Sequence, residues 1–198
     1  MEESFNEKQS LELITGMINK AKNQFSESGM LYLVWGFAVL FCSIAQFILS
    51  KVGYKQVYYV WFFTFPVYIY HAIFLYKKKR RDLVKTYTDE ILGYVWLCFV
   101  ICLLLMLFIL LYSKKFELIY SAILVLYAIP TFLSGAILKA KLLIIGGICC
   151  WALACLSLFI PLNYHLLLIS IAVLVAWIIP GLYLRNKYLA VSKPASNL

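Results

Sequence analysis

Along most of the chain, apolar residues run on without the alternation of a half-buried strand or the one-sided stripe of a surface helix. Six stretches stand out, at 30–50, 57–76, 91–112, 117–138, 142–160 and 164–184. Each is close to the roughly 20 residues that a helix needs to cross a hydrocarbon layer about 30 Å thick. Lipid offers a peptide group no hydrogen-bond partner, so a spanning segment must close its backbone bonds internally. The period-2 pattern of a barrel is missing. The pattern therefore predicts an all-α, polytopic transmembrane helix bundle of six spans. Only Pro161, Leu162 and Asn163 separate the last two, which predicts a tight turn between antiparallel helices.

The pattern changes before the first span. Leu11, Ile14, Ile18, Ala21 and Phe25 recur at spacings of 3, 4, 3 and 4, with Met17 beside them. That is the narrow apolar seam of an amphipathic helix, with Ser10 placed to cap it and Lys20 and Lys22 in its last turn. Asn23, Ser26, Ser28 and Gly29 are expected to interrupt this helix before the membrane. The seam has two readings: a helix lying in the headgroup layer or over the mouth of the bundle, or a contact for a second copy or a cytoplasmic partner helix. The expected organisation is an amphipathic segment 1–29, a six-span domain 30–184 and a tail 185–198. A short helix with Val84, Tyr87 and Ile91 on one face, and Lys85 and Asp89 positioned to pair, is expected to lead into the third span.

Composition narrows the class. The chain is 64% hydrophobic and 14% charged, against about 45–50% and about 25% in an ordinary soluble domain. A soluble globule, a disordered chain and a small disulfide scaffold are excluded on those numbers. The net charge of +9 is unevenly placed. Fourteen of the 18 lysines and arginines fall in the N-terminal segment, the second and fourth loops and the tail, so both termini are expected in the cytoplasm. The same residues attract anionic headgroups, and the run Lys77, Lys78, Lys79, Arg80 and Arg81 is the candidate anionic-lipid contact. No nucleic-acid-reading module accompanies the charge, so nucleic acid is not an expected partner. Residues 1–29 contain no apolar core of a cleavable signal peptide.

Candidate chemistry is sparse. No Asp, Lys or Arg lies within the six stretches, and Glu117 sits at the edge of the fourth. Charges inside a membrane mark proton relays, ion sites and voltage sensors, so their absence weighs against those devices. No zinc-protease, nucleophile-elbow or phosphate-loop motif is present. No cofactor or metal is expected. His71 lies six residues before the basic run, about 9 Å inside the membrane boundary, while His165 starts the sixth span at the opposite face. His71 reads as a hydrogen-bonded interfacial side chain or a ligand site. Gln46, in the outer half of the first span, reads as an interhelical hydrogen bond or part of such a site. Ser43, Ser121, Thr131, Ser134 and Ser170 are the other uncharged polar residues of the spans. All six cysteines lie in spans and read as small packing residues. A thiolate cluster of Cys98 and Cys102 with Cys149 and Cys150 is the alternative.

Three hairpins show a weak repeat, with Trp35, Trp96 and Trp151 in the first helices and Trp61/Pro66, Tyr127/Pro130 and Trp177/Pro180 in the second. Each proline is expected to free the carbonyl four residues earlier, on Phe62, Leu126 and Ala176, and to bend its helix. The small-residue pairs Thr131/Gly135, Gly146/Cys150 and Ala172/Ala176 mark expected helix contacts, with Ser134–Gly135 packed on Gly146–Gly147.

Several strings carry a resemblance. Ser10-Leu11-Glu12-Leu13-Ile14, Met17-Ile18-Asn19-Lys20 and Tyr32-Leu33-Val34-Trp35-Gly36 resemble a family of bacterial six-helix integral inner-membrane proteins with no assigned activity. Thr131-Phe132-Leu133-Ser134-Gly135, the stretch 142–147 and Ile179-Pro180-Gly181 extend the likeness over nearly the whole chain. The resemblance implies a bacterial inner-membrane setting and transfers no functional residue. The function expected is a non-enzymatic regulatory or interaction role at the cytoplasmic face. The alternative is a small channel or carrier for a neutral or amphipathic solute, built from the three hairpins. A third reading, a lipid-modifying enzyme using His71, is held below both.

Overall fold

The structure is a computed structural model; it describes the backbone of residues 7–81 and 87–192, and the side chains of 29–77, 87–88 and 90–186. Among the described residues it is helical, with no strand. Its helices are α1 (Glu7–Lys51), α2 (Thr64–Arg81), α3 (Tyr87–Tyr112), α4 (Ile119–Ile137), α5 (Lys141–Ser157), α6 (His165–Val173) and α7 (Ile179–Ser192). A 3-10 stretch, Val57–Phe63, feeds α2, and a π turn, Leu174–Ile178, joins α6 to α7 without a break.

Five helical stretches are long and apolar enough to cross a membrane: Gly29–Lys51, Val57–Lys77, Glu90–Tyr112, Phe116–Ile137 and Leu162–Asn186. The remaining helix, α5, has 17 residues, a length of about 26 Å at 1.5 Å per residue. The apolar run at 142–160 overstates it. Pro161 disfavours helical geometry in the residue before it, and the chain leaves the helix after Ser157 through successive turn bonds from Leu158, Phe159 and Ile160.

The expected interruption at Asn23–Gly29 is corrected: α1 runs unbroken for 45 residues, about half of them before the apolar span begins at Gly29. Serine and asparagine cost a helix less than about 0.7 kcal/mol each, too little to break one held by packing. Gly29 supplies that packing. A Cβ on Gly29 would lie 3.1 Å from the Gly181 carbonyl oxygen, and one on Gly181 would lie 3.1 Å from the Gly29 oxygen. The two glycines let α1 and α7 meet backbone to backbone.

Two of the three prolines act differently from expectation. Pro66 stands in the first turn of α2, where a missing N–H costs nothing, so it begins that helix rather than bending it. Pro130 is inside α4. Pro180 follows the π turn, in which the Ile179 N–H bonds the Leu174 carbonyl; the chain widens there instead of simply losing a bond.

Three helices end on a residue of positive φ, Gly53 (81°), Lys114 (55°) and Lys139 (52°). Each is followed by an N–H that reaches back over the last turn, Tyr54 to Leu49, Lys115 to Leu110 and Ala140 to Gly135, at 2.8–3.1 Å. The motif satisfies the last carbonyls, and only the first of the three uses the residue that adopts it freely.

The most extensive interface is α4 with α5, followed by α1 with α7. Gly135 meets the Ile144 nitrogen (2.6 Å from an added Cβ), and Gly147 meets Phe132 and the Ala128 carbonyl (2.8 and 3.0 Å). Gly146 faces elsewhere: its Cβ would stand 2.6 Å from the Ala176 Cα of the π turn. The expected contact of Ser134–Gly135 with Gly146–Gly147 is therefore corrected, because consecutive helix positions point about 100° apart and only one of two adjacent glycines can face α4. From the other side Gly36 of α1 approaches Ile178 (2.8 Å). The π turn is held between two glycines. The peripheral spans behave oppositely: α2 rests on α1 and α3 on α4, and apart from Val57 no described residue between 52 and 118 is buried.

Two substitutions test this packing. Gly146→Ala is expected to lower stability by about 1–3 kcal/mol through overpacking. Gly93→Ala, where nothing lies within 4 Å, is expected to be neutral or to add up to about 1 kcal/mol through helix propensity. Thermal unfolding in detergent reads both. By the same measurement Lys139→Gly is expected to gain about 1 kcal/mol by relieving its left-handed backbone.

Candidate functional site

Inside a bundle surrounded by lipid, each buried polar group must be satisfied by the chain itself. The six uncharged polar residues singled out from the sequence (Ser43, Gln46, Ser121, Thr131, Ser134, Ser170) are all buried, together with Ser157 and His165. Seven of them enter hydrogen bonds in several separate clusters, and the Ser134 hydroxyl has no hydrogen-bond partner among the described residues.

At the Lys51 end, Gln46 joins three elements. Trp61 of the 3-10 stretch donates its indole N–H to Gln46 Oε1 at 2.6 Å, and Gln46 Nε2 donates to the Tyr120 hydroxyl of α4 at 2.8 Å. α1 and α4 share no extended backbone interface, so this amide is a bridge between them. The Tyr120 ring stands edge-on to His165, with centroids 6.3 Å apart. His165 Nε2 lies 2.9 Å from the Ile160 carbonyl, which makes it the protonated nitrogen. Nδ1 is left as a buried acceptor without a partner. The Lys51 ammonium caps this end over the rings of Phe47 and Tyr164, at 5.6 and 5.0 Å.

Toward the Lys77 end, Trp35 of α1 donates its indole N–H to His71 Nδ1 of α2 at 2.9 Å. An indole nitrogen only donates, so His71 is neutral here with its proton on Nε2. Tyr68 stands edge-on to Trp35 at 6.2 Å. Deeper in, Trp177 of the π turn donates to Thr131 Oγ1 at 3.0 Å, and that hydroxyl donates to the Tyr127 carbonyl at 2.7 Å. Tyr32, Trp96, Tyr127 and Trp177 pack around this pair with centroids 4.9–6.1 Å apart.

Serine pairs link other helices. Ser43 and Ser170 meet at 2.7 Å between α1 and α6, each also within reach of a carbonyl of its own helix. Two hydroxyl protons serve three contacts, so one of the three is always undonated. Ser157 donates to Ser121 at 2.7 Å between α5 and α4.

The structure does not bring His71 and Gln46 together; each belongs to its own cluster. Lys77 is exposed at the end of the described part of α2. The backbone of Lys78, Lys79, Arg80 and Arg81 continues α2, and that of Leu11, Ile14, Ile18, Ala21 and Phe25 lies in α1; their side chains fall outside the described residues, as does the Lys85–Asp89 pairing. Cys98 and Cys102 approach to 4.0 Å on an exposed face of α3. Among the described residues no group of three or more His, Cys, Asp or Glu is close enough to hold a metal. The three hairpin tryptophans have unlike surroundings: Trp35 bonds His71, Trp96 packs on Tyr32 and Trp177, and Trp151 packs on Phe132.

Residues that the sequence reading passed over are Trp35, Trp61, Tyr120, Trp177 and His165 as network members. A usable signal existed. An indole N–H only donates, so each buried indole needs a side-chain or carbonyl acceptor, and those of Trp35, Trp61 and Trp177 take His71, Gln46 and Thr131. No protein-family model, curated protein or solved structure matches the chain.

The bridge across α1 and α4 is open to a double-mutant cycle. Gln46→Leu strands the Trp61 donor and is expected to cost about 1–3 kcal/mol. Combined with Tyr120→Phe it is expected to show a coupling of about 0.6–2 kcal/mol in reversible unfolding.

Proposed function

We propose that this protein is a six-span inner-membrane protein of bacterial type, with both termini in the cytoplasm. Its role is non-enzymatic: it links a cytoplasmic partner helix to a closed bundle. The continuity of α1 carries this reading. One helix of 45 residues runs through both the positions of the expected seam and the first apolar span, and it touches α2, the 3-10 stretch, α6, the π turn and α7. Whatever engages the seam therefore pulls on the centre of the bundle through a single rod. The buried polar groups support a closed interior, since nearly all are bonded to one another or to carbonyls. The partner is a second copy or another helix at the cytoplasmic face, and anionic headgroups surround the basic loops.

A second reading keeps one observation of its own. The π turn before Pro180 lies at the middle of the most buried rod, and carriers place broken helices at such depths around a solute. On that reading the turn changes register as a neutral solute passes.

Deleting residues 1–25 separates the two. The regulatory reading expects the bundle to keep its melting temperature while its oligomeric state or co-purifying partner is lost; unchanged association and partners would sink it. Topology is read separately. A membrane-impermeant maleimide is expected to label Gly53→Cys in intact cells and Ser196→Cys only after lysis, both in a background without the native cysteines.

A further inference from the structure

The Trp35–His71 pair presents a problem that the described residues do not solve. Trp35 Nε1 donates to His71 Nδ1 at 2.9 Å, which fixes the ring proton on Nε2. Among the described residues no group accepts that second N–H. Both side chains are only half-buried, and the neighbours of His71 along α2, Tyr70, Ala72 and Ile73, are exposed. An N–H that faces a bilayer without an acceptor is strongly unfavourable. The acceptor must come from what surrounds α2.

Depth identifies it. His71 lies six residues before Lys77, about 9 Å along the helix axis. Lys77 is exposed, and the backbone of α2 continues through the basic run to Arg81. A cation at the headgroup level and a neutral N–H donor just below it match the two polar levels of one molecule, the phosphate and the ester carbonyls of a glycerophospholipid. The exposed apolar residues of α2 below them, with Phe65 61% exposed and Ile69 59% exposed, then meet its acyl chains.

We propose that the Trp35–His71 pair is a lipid-binding site for an anionic glycerophospholipid, its ester carbonyl accepting from His71 Nε2 and its phosphate facing Lys77. Trp35 acts as the positioning residue: its donated bond holds the imidazole in the tautomer that leaves Nε2–H free. A charged imidazole would lose that bond, so the site is built for the neutral ring. The proposal does not depend on which face of the membrane is cytoplasmic, nor on the role of the α1 seam.

The test compares ester with ether lipids, because an ether-linked chain lacks the carbonyl and keeps the phosphate. The full-length protein in detergent is titrated with diester and diether phosphatidylglycerol, and bound lipid is counted by native mass spectrometry. Wild type is expected to hold the diester lipid about five-fold more tightly, the worth of one hydrogen bond. His71→Phe is expected to erase that preference, and His71→Gln, which keeps an N–H donor, to retain part of it. Lys77→Gln is expected to weaken both lipids while leaving the ester preference intact. Equal affinity of wild type for diester and diether lipid overturns the proposal, whatever the variants do. So does a full ester preference in a folded His71→Phe protein. An equal affinity for diester phosphatidylcholine, which carries the same phosphate with a compensating cation, and for phosphatidylglycerol overturns the anionic class.

Discussion

Burying neutral polar groups where no water can reach is the constraint on which this bundle rests. A membrane bundle gains little from the hydrophobic effect between helices, because lipid tails are as apolar as the side chains. What selects one arrangement of helices is where the backbones can touch and which donors find acceptors. The second condition is severe here. Three acceptors in the spans, His71, Gln46 and Thr131, each receive an indole N–H from another element. Each of those bonds fixes the rotation of two elements about their axes. The Gln46 amide does more, because it bonds Trp61 and Tyr120 at once and spans the gap between α1 and α4.

The first condition is met by glycine. At Gly135 and Gly147 it allows α4 and α5 to close, and at Gly29 and Gly181 it lets α1 meet α7. Between these contacts sits the π turn, approached by Gly36 from α1 and by Gly146 from α5. A π turn widens a helix locally, and a Cβ on either glycine would fall inside contact distance of it. The turn and its two glycines form one unit of packing. Trp177 sits within the turn and bonds Thr131 one position after Pro130, so the helices that carry Pro130 and Pro180 are tied at the same place.

Fold class and most span positions were legible because apolar length is a direct consequence of bilayer thickness. The burial of Ser43, Ser121, Thr131, Ser134 and Ser170 was legible too, since a polar residue in a span avoids lipid. Helix rotation was not. A serine marks a buried face without naming the face opposite, and the partner of Gly146 followed from a turn type that no motif announces. The uninterrupted course of α1 through Gly29 was hidden for a related reason: glycine reads as a breaker until a second glycine, Gly181, is seen against it. Networks were partly recoverable by matching indole donors to scarce acceptors. His165 was not, because its acceptor is a backbone carbonyl, Ile160, released by the turn after α5.

The distribution of burial bears on how such a bundle could respond to a partner. α2 has its main backbone contact with α1, and α3 with α4; neither has a buried residue among those described, whereas α6 is almost wholly buried. A force applied through the N-terminal half of α1 meets little resistance from α2, which follows α1 through the Trp35–His71 bond. It meets far more from α7 and the π turn, where glycine contacts leave no slack. Motion of α1 as a rod would therefore carry α2 with it and be taken up at the side-chain bridge to α4, where Gln46 and Tyr120 provide the direct link without a backbone contact. That bridge joins two helices that share no extended backbone interface, through one amide that makes two side-chain hydrogen bonds.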